Sequence, residues 1–172
     1  MPRRRRSASS LERVEFPYLK DSQGRYAPIV YLQAWTGNRW LYLQAYVDSG
    51  ASLSVFHVDV AQLLGIKLNR TKRRYVALGN GAVLPIYLHG IRVRFAGAEF
   101  VAPAGFSDAL HMGFNLMGRA GFFSRFELSF NARLPRGAFV FGGITTERTA
   151  TDDCADLSAS NPNNLRFCQQ AG

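Results

Sequence analysis

In Tyr46-Val47-Asp48-Ser49-Gly50-Ala51-Ser52 an apolar run delivers a carboxylate directly into a stretch of small residues. Taken alone, an Asp-Ser-Gly triplet is an ordinary turn in which the Asp side chain bonds the backbone. Its surroundings sharpen that reading. Ile29-Val-Tyr-Leu-Gln-Ala-Trp35 and Trp40-Leu-Tyr-Leu-Gln-Ala-Tyr-Val47 are β-branched and aromatic runs of strand length. Thr36-Gly37-Asn38-Arg39 joins them with Gly and Asn to supply positive φ, which predicts a β-hairpin whose second arm ends at Asp48. Gly50 and Ala51 then leave room for a substrate or another chain to approach the carboxylate.

Downstream, Leu53-Ser-Val-Phe56 reads as a short apolar strand. In Val58 to Gly65 the apolar residues Val60, Leu63 and Leu64 recur at i, i+3 and i+4, which predicts one short helix closed by Gly65. Arg74–Leu78 and Ala82–Leu88 flank Gly79-Asn80-Gly81, and an Asn-Gly pair between strand-like arms is the strongest short hairpin signal. Pro85 cannot donate to a ladder, so that arm must lie at an edge or project from the sheet. Ile91–Phe95 alternates with period two, Glu99–Ala102 follows a Gly-containing turn, and Arg119–Arg125 fits one or two helical turns before the strand Phe126–Phe130. A mainly β domain over 25–131 is expected, with room for an extra strand within 132–145 near Ala138–Phe141. Residues 1–24 read as a basic arm with little structure, order beginning near Tyr26, and 146–172 read as a polar tail.

The 172 residues suit one domain, and 47% hydrophobic against 19% charged residues allows a real core. The net charge of +9 raises nucleic acid as a partner. Arg3, Arg4, Arg5 and Arg6 supply four of those charges outside the predicted domain, so nucleic acid is not the expected partner. No stretch approaches the ~18 apolar residues of a membrane span. No apolar segment follows the Arg run as a secretory signal requires. Such a start also has the composition of an organelle transit peptide but is short for one, and the plainer reading is a solvated tail on a cytoplasmic protein. Cys154 and Cys168 stand in the polar tail, as free thiols or a bridge closing a tail loop, and at no zinc spacing.

Other chemistries find little support. Gly113-Phe-Asn-Leu-Met-Gly118-Arg119-Ala120 imitates the glycine spacing of a phosphate loop but lacks its Lys and its hydroxyl. His57, His89 and His111 form no metal-binding pattern, and no Ser sits in a G-x-S-x-G elbow.

Together and in this order, Asp48-Ser49-Gly50, the hairpin around Gly79-Asn80-Gly81 and Leu116-Met117-Gly118-Arg119 resemble the retropepsin-like aspartic proteases. The stretch from Gly105 to Phe126 is similar to small bacterial members. The resemblance implies a small closed or partly open β-barrel with one or two short helices and a flap hairpin. It makes Asp48 the catalytic group, supported by Ser49, Gly50 and Ala51. Leu78, Gly79, Asn80, Gly81 and Ala82 become a flap over an extended peptide, and Leu116, Met117, Gly118 and Arg119 a structural signature. It implies no metal or cofactor. A second Asp-Ser/Thr-Gly is absent, so one chain carries half a site and the resemblance implies an endopeptidase homodimer. Retroviral members usually place an acid four positions after the catalytic Asp, paired with the Arg after the signature Gly; here Ser52 stands there. Pro85 and the chain beyond Asn131 also depart from that pattern. The alternative reading is a catalytically weak dimerisation or peptide-binding module of the same fold.

Overall fold

The computed structural model describes residues 13–69, 73–77, 83–110, 113–131 and 138–144. Strands β1 (Arg13–Pro17), β2 (Leu19–Lys20) and β3 (Tyr26–Ala27) precede the predicted hairpin, which is β4 (Ile29–Trp35) and β5 (Trp40–Val47). The Thr36 N–H donates to the Arg39 carbonyl at 2.9 Å and Gly37 takes a φ of +96°, so the turn uses the residues expected of it. Val30, Leu32, Ala34, Leu43, Ala45 and Val47 point inward and are buried, whereas Tyr31 and Tyr42 face out.

Strand β6 (Ser54–His57) runs into α1 (Val58–Leu63). The His57 side chain caps the helix by accepting from the Asp59 N–H, and Gly65 ends it at a φ of +71° with its N–H on the Gln62 carbonyl. The predicted apolar face needs correction, because Leu63 is 63% exposed while Val60, Ala61 and Leu64 are buried. So short a helix touches the core along a single line, and here that line runs through 60, 61 and 64.

Strands β7 (Arg73–Ala77), β8 (Val83–Phe95) and β9 (Ala98–Ser107) follow. The two strands expected on either side of His89-Gly90 are one, since β9 pairs with β8 continuously from Tyr87↔Phe106 to Phe95↔Ala98 and carries the ladder through Gly90. Strand β9 outruns its expected end at Ala102. Its Pro103-Ala104-Gly105 segment is poor in strand formers but is held between β8 and β6, and a Cβ on Gly105 would stand 2.9 Å from Ile86 Cδ1. Among the described pairings Val83 to Ile86 face β7 alone, past the end of the β9 ladder, so Pro85 sits where a missing N–H is tolerated.

After β10 (Asn115–Met117) comes a kinked helical turn over Arg119–Phe123, in which Gly121 takes a φ of +78°, then β11 (Phe126–Asn131) and β12 (Ala138–Ile144). Seven strands in the order β4-β5-β10-β6-β9-β8-β7 curl until β4 also pairs with β8, at Gln33↔Arg94 and Ala34↔Val93. The closed sheet wraps a core that includes Phe56, Phe106, Phe122 and Met117.

A three-stranded sheet β1-β12-β11 covers one side and corrects the reading of order as starting near Tyr26. Strand β1 pairs with β12 from Arg13↔Gly142 to Pro17↔Ala138, and Phe16 stacks on Phe95 with ring centroids 5.3 Å apart. Val14 and Phe16 alternate with charged residues too briefly to announce a strand, and the partner lies at the other end of the chain. The Arg run, the residues after Ile144 and both cysteines lie outside the described residues.

Candidate active site

Asp48 is the first residue after β5, and its N–H donates to the Met117 carbonyl at 2.9 Å. That bond extends the parallel pairing of β5 with β10, in which Ala45, Tyr46 and Val47 face Asn115, Leu116 and Met117. The half-buried carboxylate folds back over its own turn. Its Oδ1 accepts from the Gly50 N–H at 2.9 Å and its carbonyl accepts from the Ala51 N–H at 3.2 Å. Ser49 and Gly50 are exposed and Ala51 is half-buried, so the triplet lies at the surface on a buried footing.

The footing is the Leu116-Met117-Gly118-Arg119 segment. Arg119 N–H donates to the Ala51 carbonyl at 2.9 Å and Ala120 N–H to the Ser52 carbonyl at 3.0 Å, tying the far end of the loop to the residues after β10. Gly118 is required by space rather than by its backbone angles, since a Cβ there would lie 2.4 Å from the Leu53 carbonyl carbon and oxygen. The Arg119 side chain is exposed and forms no salt bridge with a described residue. With Ser52 in place of an acid, the loop is anchored by main chain instead.

A cleft of about 150 Å³ opens beside the carboxylate. The Asp48 loop lines it through Gly50, Ala51 and Ser52, together with Leu53, Val55 and Leu116 and with Val76 and Ala77 of β7. The structure thus brings together the Asp48 loop, the signature strand and one arm of the Asn-Gly hairpin. Leu78, Gly79, Asn80, Gly81 and Ala82, expected at its tip, lie outside the described residues. No group of three or more His, Cys, Asp or Glu side chains among the described residues could hold a metal. Tyr46, packed on Phe114 with centroids 4.1 Å apart, has its hydroxyl pKa pushed up by burial.

Three supporting residues escaped the sequence reading. Ser54, fully buried in β6, accepts the Gly118 N–H on its Oγ at 3.0 Å. A Ser inside the apolar run Leu53–Phe56 was the available signal, because a buried hydroxyl requires a partner. Ser107 at the end of β9, also fully buried, donates from Oγ to the Pro85 carbonyl at 2.6 Å and so ties down the β8 arm. Asn115 bonds to both β5 and β6, with nothing in its local sequence to show it.

The fold has a counterpart among solved structures. Over 80% of this chain and 98% of the other, it is similar to a retropepsin-like aspartic protease from Rickettsia conorii, with a TM-score of 0.50 and 21% sequence identity. The fold is retropepsin-like. EIAV protease in complex with an inhibitor is also similar, at 13% identity and a TM-score of 0.44 over 59% of this chain and 88% of that one. No protein-family model and no curated protein sequence matches the chain. No helix among the described residues is long and apolar enough to cross a membrane.

Proposed function

We propose that this retropepsin-like chain is an aspartic endopeptidase whose site is completed by a second copy. The observation that supports this best is the Asp48 carboxylate held by main-chain bonds at the mouth of an apolar cleft. Peptide hydrolysis of this kind needs two carboxylates around one water, and the chain holds one Asp-Ser-Gly. A twofold axis beside Asp48 brings it against its mate, the same patch serving both protomers.

Two carboxylates so placed cannot readily both ionise and share one proton. The ionised one takes a proton from water as the water oxygen bonds to the scissile carbonyl carbon, while the protonated one gives its proton to the carbonyl oxygen. Collapse of the tetrahedral adduct breaks the C–N bond as a proton passes to the leaving nitrogen. In this reading Ser49 bonds across the axis, the Gly50 carbonyl bonds the substrate backbone, and residues 78–82 close over an extended peptide by strand addition. The apolar cleft favours apolar side chains beside the cut.

Digestion of a peptide library at pH 4–7, with and without pepstatin and with Asp48→Asn as control, tests the proposal. Cleavage should be strongest under acidic to mildly acidic conditions, be blocked by pepstatin and be lost in Asp48→Asn. That variant keeps the Oδ1 acceptor for Gly50 and should melt as the wild type does. A wild type that cleaves nothing across the range leaves the peptide-binding module, which the exposed Arg119, in no salt bridge with a described residue, favours as a weakly assembling form.

A further inference from the structure

We propose that Asn115 is a positioning residue that holds the Asp48 carboxylate in place through β10, an inference that rests on the reading of Asp48 as the reacting group. Strand β10 has three residues, pairs with β5 at three positions and meets β6 at Leu116↔Val55 alone. Such a strand makes few ladder bonds of its own, yet its last carbonyl receives the Asp48 N–H and the next amide reaches Ser54. Wherever β10 sits, Asp48 follows.

The Asn115 side chain adds the missing restraint. Its Nδ2 donates to the Gln44 carbonyl on β5 at 2.9 Å, and its Oδ1 accepts from the His57 N–H at 3.1 Å, where β6 meets α1. One amide therefore pins β10 to both neighbours, two residues before the carbonyl that carries Asp48. The chemistry is particular to Asn, because the position needs a donor and an acceptor at opposite corners of a short planar group. Leu has the shape without the bonds. An ionised Asp accepts from His57 but presents a second acceptor to the Gln44 carbonyl, whereas a protonated Asp carries one donor and one acceptor and can make both bonds. The titratable groups on the elements packed against Asn115 are Tyr42 and Tyr46 on β5 and His57 with Asp59 at the start of α1, the last two within 3.1 Å of each other. They are common to the wild type and the variants, so a ratio of variant to wild type isolates the new carboxyl.

The test uses the full chain as Asn115→Leu and Asn115→Asp, with two readouts. The first is amide hydrogen exchange at Asp48 and Gly118, referenced to amides of the β8–β9 ladder. The second is kcat and KM on a fluorogenic peptide taken from the library cleaved by the wild type. Asn115→Leu should speed exchange at Asp48 and Gly118 by about tenfold or more with the β8–β9 reference unmoved. It should lower kcat by about 10–100-fold with KM changed far less, as expected of a displaced reacting group. Asn115→Asp should resemble Asn115→Leu at pH 6.5 and recover toward the wild type as pH falls toward about 4, where an Asp carboxyl takes up its proton.

Wild-type exchange at Asp48 in Asn115→Leu, wild-type kcat in either variant at pH 6.5, or an Asn115→Asp ratio that stays flat with pH would each overturn the proposal. Should Asn115→Leu fail to fold, Asn115→Asp decides by the same readouts. Should the wild type cleave nothing, the protease reading falls by itself, and the exchange measurements alone decide whether Asn115 holds the Asp48 loop.

Discussion

Replacing Gly118 by Ala should be among the most damaging single-methyl changes the chain can suffer. Gly118 has a φ of −98° and a ψ of −175°, angles any residue adopts, so conformational strain contributes nothing. The cost is contact. The new Cβ would lie 2.4 Å from both the carbonyl carbon and oxygen of Leu53 and 2.9 Å from the Ser54 nitrogen. All three are main-chain atoms, and relief to ordinary contact requires a separation of roughly 1 Å. Overpacking of this kind costs about 1–3 kcal/mol. The same separation takes the 3.0 Å bond from the Gly118 N–H to Ser54 Oγ out of range, and a buried unpaired donor adds about 1–3 kcal/mol. Ser54→Ala removes the bond without the clash and should show only the second cost. Because both substitutions remove that bond, the double variant should be less destabilised than the sum of the singles by about 1–2 kcal/mol. Urea unfolding of the four proteins measures all of this. A Gly118→Ala midpoint equal to the wild type's, or strict additivity in the double variant, would show that the contact between Gly118 and Leu53–Ser54 is not as described. The displacement should also reach the chemistry, since the next two amides hold Ala51 and Ser52.

Ser107→Ala should cost about 1–3 kcal/mol in unfolding, because it leaves the Pro85 carbonyl and the Ala109 N–H without their shared hydroxyl, and in the proposed enzyme it should raise KM by loosening the β8 arm. Leu64→Ala should cost about 2–5 kcal/mol as a core truncation, and Leu63→Ala less than about 0.5 kcal/mol; equal losses would contradict the burial of α1. The Glu99 carboxyl is held below its ordinary value of 4.5, first by the Arg94 hydrogen bond and then by that of Arg92. Its folded-state pKa is depressed, so its contribution to stability is present in full above 4.5 and lost as pH falls through the lowered value. The melting-temperature gap between wild type and Glu99→Gln should therefore be constant from pH 7 to about 5 and close toward pH 3, and a gap that widened in acid would reverse the assignment.

How much of this was legible in the sequence depended on the range of the interactions. The β4–β5 hairpin could be read because its turn residues and both arms lie within one short window, as could the end of α1 at Gly65. Strand β1 could not, since its partner β12 is at the opposite end of the chain and neither has a long alternating pattern. The interruption expected at His89-Gly90 vanished for a related reason: a glycine weakens a strand locally, but a neighbour paired on both sides of it restores the ladder. At the site, Asp48 was legible from the apolar strand and the small residues around it, and Gly118 only through the family resemblance that Leu116-Met117-Gly118-Arg119 carries. Ser54, Ser107 and Asn115 were not, because a hydroxyl or amide discloses its role only through the distant carbonyl or N–H it meets.

Ser54 and Asn115 bear on how the proposed chemistry can tolerate acid. The retroviral pattern secures the catalytic loop with an ion pair, whose carboxylate would titrate in the range where the two catalytic groups share their proton. Here Ser52 removes that carboxylate, and the loop hangs from the Met117 carbonyl, the Arg119 and Ala120 amides, the Ser54 hydroxyl and the Asn115 amide. None of these gains or loses a proton as pH falls. On the scaffold, Glu99 is held down by Arg94 and Arg92 and Asp21 first by the Arg25 amide, so both stay ionised below their ordinary range. An anchoring that looks impoverished beside the retroviral pattern is thus carried by groups that do not titrate across the acid range the proposed chemistry requires.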